Sequence, residues 1–200
     1  MIGVVLAILG GLAVLIFLIA AFGAKIYNEL IKLQNRYENA FAQIDVQLTR
    51  RHDLIPNLVE TAKGYMKHEK DTLEAVVNAR NQAVSASKSA SENPGDPNAM
   101  KELAGAEGQL NSAIGRLLMV AEDYPDLKAN ENMLLIQEEL TATENKVAYA
   151  RQGYNDAVTR YNTNRETFPT VLLASFFGFQ EANLLEAAES EREAPKVSFD

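Results

Sequence analysis

Apolar residues in this chain come first as an unbroken run and then as stripes. From Ile2 to Ala24 every residue is apolar or small and none is charged. An α-helix over that run is about 34 Å long, against a hydrocarbon core of ~30 Å, so the run predicts a membrane-spanning helix. A cleaved signal peptide fits less well, because such peptides carry basic residues ahead of an apolar stretch of only ~7–15 residues. Here the first cation, Lys25, follows the run.

After Lys25 the apolar positions fall into alternating steps of three and four. Ile26, Leu30, Leu33, Tyr37, Phe41, Ile44 and Leu48 form one stripe on a long helix. No glycine or proline separates this stripe from the span, so the two are expected to form one continuous rod. The stripe continues through Ile55, Leu58 and Ala62. Pro56 lies inside it and is expected to kink the rod, since proline lacks a backbone donor and its ring crowds the carbonyl of His52.

Residues 64–68 read as a turn. A second helix follows, with Leu73, Val76, Val77 and Val84 as its expected inner face. The run from Ser91 to Asn98, SENPGDPN, is a loop by composition. A third helix is expected from about Ala99 to Ala121, with Leu103, Leu110, Ile114, Leu117 and Leu118 inward. Gly105, Gly108 and Gly115 weaken it by ~1 kcal/mol each relative to alanine, and close approach of a neighbouring helix is the expected reason for them. Asp123-Tyr124-Pro125 reads as a stop and restart, with Pro125 in the first turn of a fourth helix. That helix carries a coiled-coil-like seam, Met133, Ile136, Leu140, Thr143, Val147, Ala150, Tyr154, Ala157 and Tyr161, and stops before Phe168-Pro169.

Segments that each carry one apolar stripe bury the stripes against one another. The expected fold class is therefore all-α: one N-terminal transmembrane helix continuous with an elongated antiparallel helical bundle of about four long helices plus a short C-terminal helix. The expected domains are the span at 1–24, a water-facing bundle at 25–189 and an acidic tail at 190–200.

Charge and composition narrow the function. The net charge of -8 argues against duplex nucleic acid as a partner. The absence of cysteine rules out disulfides and thiolate metal sites. None of the phosphate-loop, dinucleotide-fold, nucleophile-elbow or zinc-protease motifs occurs. Asp45, His52 and Asp53 are too few for a metal site, and Asp45 is expected on a helix face well away from Asp53. No cofactor and no catalytic residue is expected. An enzyme would need a cleft of shifted titratable groups beside His52 or His68.

Three sets of residues stand out as candidates for contact. Arg50, Arg51, His52 and Asp53 form the densest charge cluster. The preferred reading is that Arg50 or Arg51 pairs across the bundle with Glu138, Glu139 or Glu144 and fixes helix register; the other is a patch for a protein partner. Gly3, Ala7 and Gly11, at i, i+4 and i+8, would allow close packing of two spans. Phe176, Phe177 and Phe179 are expected to cap one end of the bundle, with a partner or membrane-interface contact as the alternative. Val197 and Phe199 offer a docking point in the tail. Lys25, Lys32 and Arg36 follow the span, so the N-terminus is expected outside and the bundle in the cytoplasm.

RRHDLIPNLVETAKGYMKHE (Arg50 to Glu69) and YPDLKANENMLLIQEELTATENKVAYARQGYNDAVTRYN (Tyr124 to Asn162) resemble the signature segments of the LemA family of bacterial membrane proteins. The apolar N-terminus, Phe168-Pro169 and the closing Pro195 to Phe199 fit as well. Two departures are Met133, where the family usually has Phe, and Leu184-Leu185, where an aromatic pair is common. The resemblance implies a bacterial inner-membrane protein with an elongated helical bundle and no agreed biochemical activity. Relatives tied to magnetosome membranes hint at membrane organisation. The expected role is a membrane-anchored, non-catalytic scaffold that self-associates, with the lipid bilayer and further copies of itself as partners. The alternative is an adaptor that presents the bundle to an unidentified protein such as a membrane protease or signalling kinase.

Overall fold

The computed structural model describes residues 2–186. Among these, 85% are helical. Helix α1 spans Ile2–Lys63, α2 Lys70–Glu92, α3 Pro97–Ala121, α4 Pro125–Lys128, α5 Glu131–Glu166 and α6 Thr170–Phe177. The acidic tail and its Val197 and Phe199 lie outside the described residues.

Helix α1 is a single element of 62 residues, about 93 Å long at 1.5 Å per residue. Its first part carries the uncharged run, exposed from Leu6 to Phe22, with Gly23 half-buried. From Ile26 onward one stripe turns inward, and Leu30, Phe41, Ile44, Leu48, Ile55 and Leu58 are buried. The stripe packs chiefly against α5 and α2, while α2 packs against α3. Tyr37 meets Tyr161, and Phe41 meets Tyr154, so α1 and α5 run antiparallel.

Local detail completes some expectations and corrects others. The helix is continuous through Pro56, which is exposed. The carbonyl that proline cannot satisfy belongs to His52, and Arg80 of α2 donates its Nε–H to it at 3.2 Å. A neighbouring helix therefore supplies the missing donor. On α2 the inner face is Leu73, Val76, Ala79, Ala83, Ala86, Ser87 and Ala90, whereas Val77 and Val84 face solvent. An alanine seam carries less hydrophobic contrast than two valines, but small side chains let α2 lie close to its neighbours.

The loop after α2 is shorter than the composition suggests, because Asp96 caps α3 and Pro97 is its first residue. The Asp96 carboxylate accepts from the backbone N–H of Asn98 and Ala99. Pro125 opens the separate single turn α4, and α5 starts only after Asn130, whose side chain accepts from the Met133 N–H. Gly105 and Gly115 are not close-approach sites, since a Cβ at either would meet nothing within 4 Å. Gly105→Ala and Gly115→Ala are each expected to stabilise the bundle by ~1 kcal/mol, read as a raised urea midpoint.

Candidate functional site

Three arrangements follow from this packing. The first is the charge cluster on α1. Arg51 and Glu107 both occupy slots in apolar stripes: Arg51 falls between Leu48 and Ile55, and Glu107 between Leu103 and Leu110. The two stripes meet, and Arg51 Nη1 donates to Glu107 Oε2 at 3.2 Å. His52 Nε2 lies 2.7 Å from Glu107 Oε1. Since a carboxylate oxygen only accepts, that ring nitrogen carries the proton. The side chains of Arg51, His52 and Glu107 are 7%, 4% and 13% exposed, so one acid on α3 holds a guanidinium and an imidazole of α1 in the interior.

Arg50 reaches Glu139 of α5 at 3.1 Å, in an exposed pair. Exposed pairs contribute little. Glu144 is exposed on α5, and the carboxylate facing Arg51 is Glu107, which the sequence reading passed over. Its signal was there, as an acid in an inward slot of the α3 stripe. Asp45 and Asp53 are not on separate faces: both line a shallow cleft of about 260 Å³ between α1 and α2. Ser87 donates to Asp45, and Arg80 lies 4.0 Å from Asp53. No group of three or more His, Asp or Glu that could hold a metal occurs among the described residues.

The second arrangement involves the segment after α6, which runs extended back along α5. Two Tyr-Asn pairs one heptad apart, Tyr154-Asn155 and Tyr161-Asn162, grip it. Asn162 donates to the Ala182 carbonyl at 2.7 Å and accepts from the Ala182 N–H at 3.0 Å. Asn155 does the same for Leu185, at 3.1 and 2.9 Å. The Tyr161 and Tyr154 hydroxyls donate to the Gln180 and Asn183 carbonyls, both at 2.8 Å. Seven helical residues advance ~10.5 Å, and three extended residues ~10 Å. A heptad spacing on α5 therefore matches a three-residue spacing on the strap. The Asn183 N–H also bonds to the Gly95 carbonyl at 2.9 Å. Gly95 has φ +90°, and a Cβ there would sit 3.0 Å from the Ala182 Cβ, so the loop needs glycine to receive the strap.

The tyrosines of this clamp form an aromatic cluster with Phe41 and Tyr37. Burial raises the Tyr37 phenol to about 12, with Tyr161 and Glu38 adding to it, and burial also raises Tyr154 and Tyr161. A phenol is neutral when protonated, so the folded chain holds protons that the unfolded chain, with pKa ~10, has released. This stabilisation is complete below pH ~10 and is lost as pH rises through the folded values. The urea midpoint is expected to fall between pH 9 and 12, and Tyr37→Phe to shrink that fall. An equal slope in the variant would contradict it.

The third arrangement is the end of the bundle nearest the uncharged run. Tyr27 packs edge-on against Phe177 at 5.1 Å and against Phe179 at 5.5 Å. Phe176 stays 80% exposed. Gly3, Ala7 and Gly11 all lie on exposed α1 surface, and a Cβ at Gly3 or Gly11 would meet nothing within 4 Å.

Comparison with known proteins bears on the first two and on α6. Residues 40–199 match the LemA family. The chain belongs to the LemA family. The matched region contains the charge cluster, both Tyr-Asn pairs, the strap and α6. A magnetosome protein MamQ of Paramagnetospirillum magneticum is 27% identical over 175 residues, covering 80% of this chain and 64% of the relative. Protein LemA of Metamycoplasma hominis is 28% identical over 165 residues, covering 82% and 71%. Magnetosome protein MamQ of Magnetospirillum gryphiswaldense is 27% identical over 169 residues, covering 77% and 62%. The chain thus spans just under two thirds of the length of the magnetosome relatives it matches. Family, relatives and the apolar helix together indicate a membrane-associated LemA-family protein.

Proposed function

We propose that this LemA-family chain is a membrane-anchored, non-catalytic scaffold whose bundles associate side by side on the cytoplasmic face of the bacterial inner membrane. The observation that supports it is α1 itself. One uninterrupted helix supplies both the uncharged run and the central stripe of the bundle. A bundle joined to its span without a hinge has a fixed bearing on the membrane. Confinement to a plane raises the effective concentration of neighbours, so modest lateral contacts become ordering ones. Gly3, Ala7 and Gly11 are proposed to pack spans together, and the buried pair of Arg51 with Glu107 to help set helix register. Lys25, Lys32 and Arg36 support the cytoplasmic placement, and relatives named as magnetosome proteins fit a role at a membrane.

The buried cluster also bears on the adaptor alternative. Arg51 and His52 are turned inward against Glu107, which leaves Arg50 and Asp53 as the exposed members of that patch for an outside protein.

The test is the mass of the full-length protein in lipid nanodiscs and mild detergent over a range of concentrations. Self-association is expected, and a clean monomer throughout overturns the scaffold. Topology is read separately. The chain has no cysteine, so Met119→Cys on exposed α3 gives a unique thiol. It is expected to resist a membrane-impermeant maleimide in spheroplasts and to react after lysis. Labelling before lysis would place the bundle outside.

A further inference from the structure

We infer that α6 lies in the head-group boundary of the same membrane that α1 crosses, as a second, interfacial lipid contact of this protein. The inference rests on α1 spanning the bilayer and does not require self-association.

Position comes first. Helix α5 runs back toward the span: Tyr154 sits at Phe41 and Tyr161 at Tyr37. Its end at Glu166 is therefore nearer the membrane than either contact. After α6 the chain reverses, with Gln180 at Tyr161 and Asn183 at Tyr154. Helix α6 is the turning point of this excursion. Its last residue, Phe177, packs on Tyr27, three residues past the uncharged run. Three residues of helix rise ~4.5 Å, so this contact falls within the interfacial layer that flanks the hydrocarbon. Tyr27 is itself 39% exposed, at the depth where tyrosine is enriched in membrane proteins.

Chemistry agrees with position. From Thr167 to Gln180 there is no charged residue, which is the second such run in the chain after the span. On α6, Leu172 and Phe176, one turn apart, form an exposed apolar row at 64% and 80%, and Phe168 just ahead of the helix is 76% exposed. A row of that kind on a water-facing bundle marks a surface that is covered in use. The face carries no cation, so the contact is apolar insertion, not attraction to anionic lipid, and it is expected in zwitterionic bilayers and at high salt.

The chain has no tryptophan, so single indoles report depth. Full-length Phe176→Trp, Phe17→Trp and Met119→Trp would be reconstituted into phosphatidylcholine vesicles containing lipids brominated at shallow or deep acyl positions. The indole at 17 is expected to be quenched, and the one at 119, on α3, is not. The indole at 176 is expected to lose most of its emission with shallow bromines and less with deep ones, unchanged by high salt. Quenching at 17 without quenching at 176 overturns the interfacial contact while leaving the span intact. A blue-shifted but unquenched indole at 176 overturns it in favour of a protein neighbour. No quenching at either position overturns the contact together with the span.

Discussion

Glu107→Ala is expected to destabilise the bundle by about 3–5 kcal/mol, the range for removing one partner of a buried ion pair. The substitution strands the Arg51 guanidinium and the His52 ring, which are 7% and 4% exposed and both directed at that carboxylate. The loss therefore reflects an uncompensated buried charge more than the attraction removed. Replacing the whole group by apolar residues, Arg51→Met with His52→Leu and Glu107→Leu, is expected to recover most of the loss, because well-packed apolar side chains substitute for buried ion pairs at little net cost. Urea unfolding of the full chain in mild detergent measures both. A single-variant loss below about 1 kcal/mol would mean that the cluster behaves as a solvated pair.

Asn155→Ala with Asn162→Ala is expected to release the strap. Each asparagine satisfies one backbone N–H and one backbone C=O, and leaving such groups unmet costs ~1–3 kcal/mol apiece. Hydrogen exchange resolves the effect by residue. The Ala182 amide, which bonds to Asn162 Oδ1, and the Leu185 amide, which bonds to Asn155 Oδ1, are expected to lose protection. Asn162→Asp separates the two halves of the grip: its oxygen still accepts from the Ala182 N–H, but nothing donates to the Ala182 carbonyl. Protection at Ala182 should then fall only in part. Unchanged exchange at both amides in the double alanine variant would show that packing alone holds the segment.

Much of the architecture was readable because an amphipathic helix advertises itself locally. The stripe from Ile26 to Leu48 and the seam from Met133 to Tyr161 combine the 3.6-residue period with large side chains, and both turned inward or packed against the core. Helix α2 was misread where size and burial part company: Ala79, Ala83, Ala86 and Ala90 form the contact, while Val77 and Val84 are left outside. Pro56 was readable as a missing donor but not as a repaired one, since the repair comes from Arg80 on another helix. The Tyr-Asn heptad was visible in the letters as well. What it grips was not, because the strap lies about twenty to thirty residues further along the chain.

By itself, the sequence determined the uncharged run, the helical class and the positions of the main stripes, since each depends on residues within a few turns of one another. The tertiary structure decided which charges are buried together, which carbonyl Arg80 satisfies, how the strap is held and where α6 comes to rest. Those depend on distances between segments remote in the chain, and residue periodicity carries no record of such distances until the helices are packed.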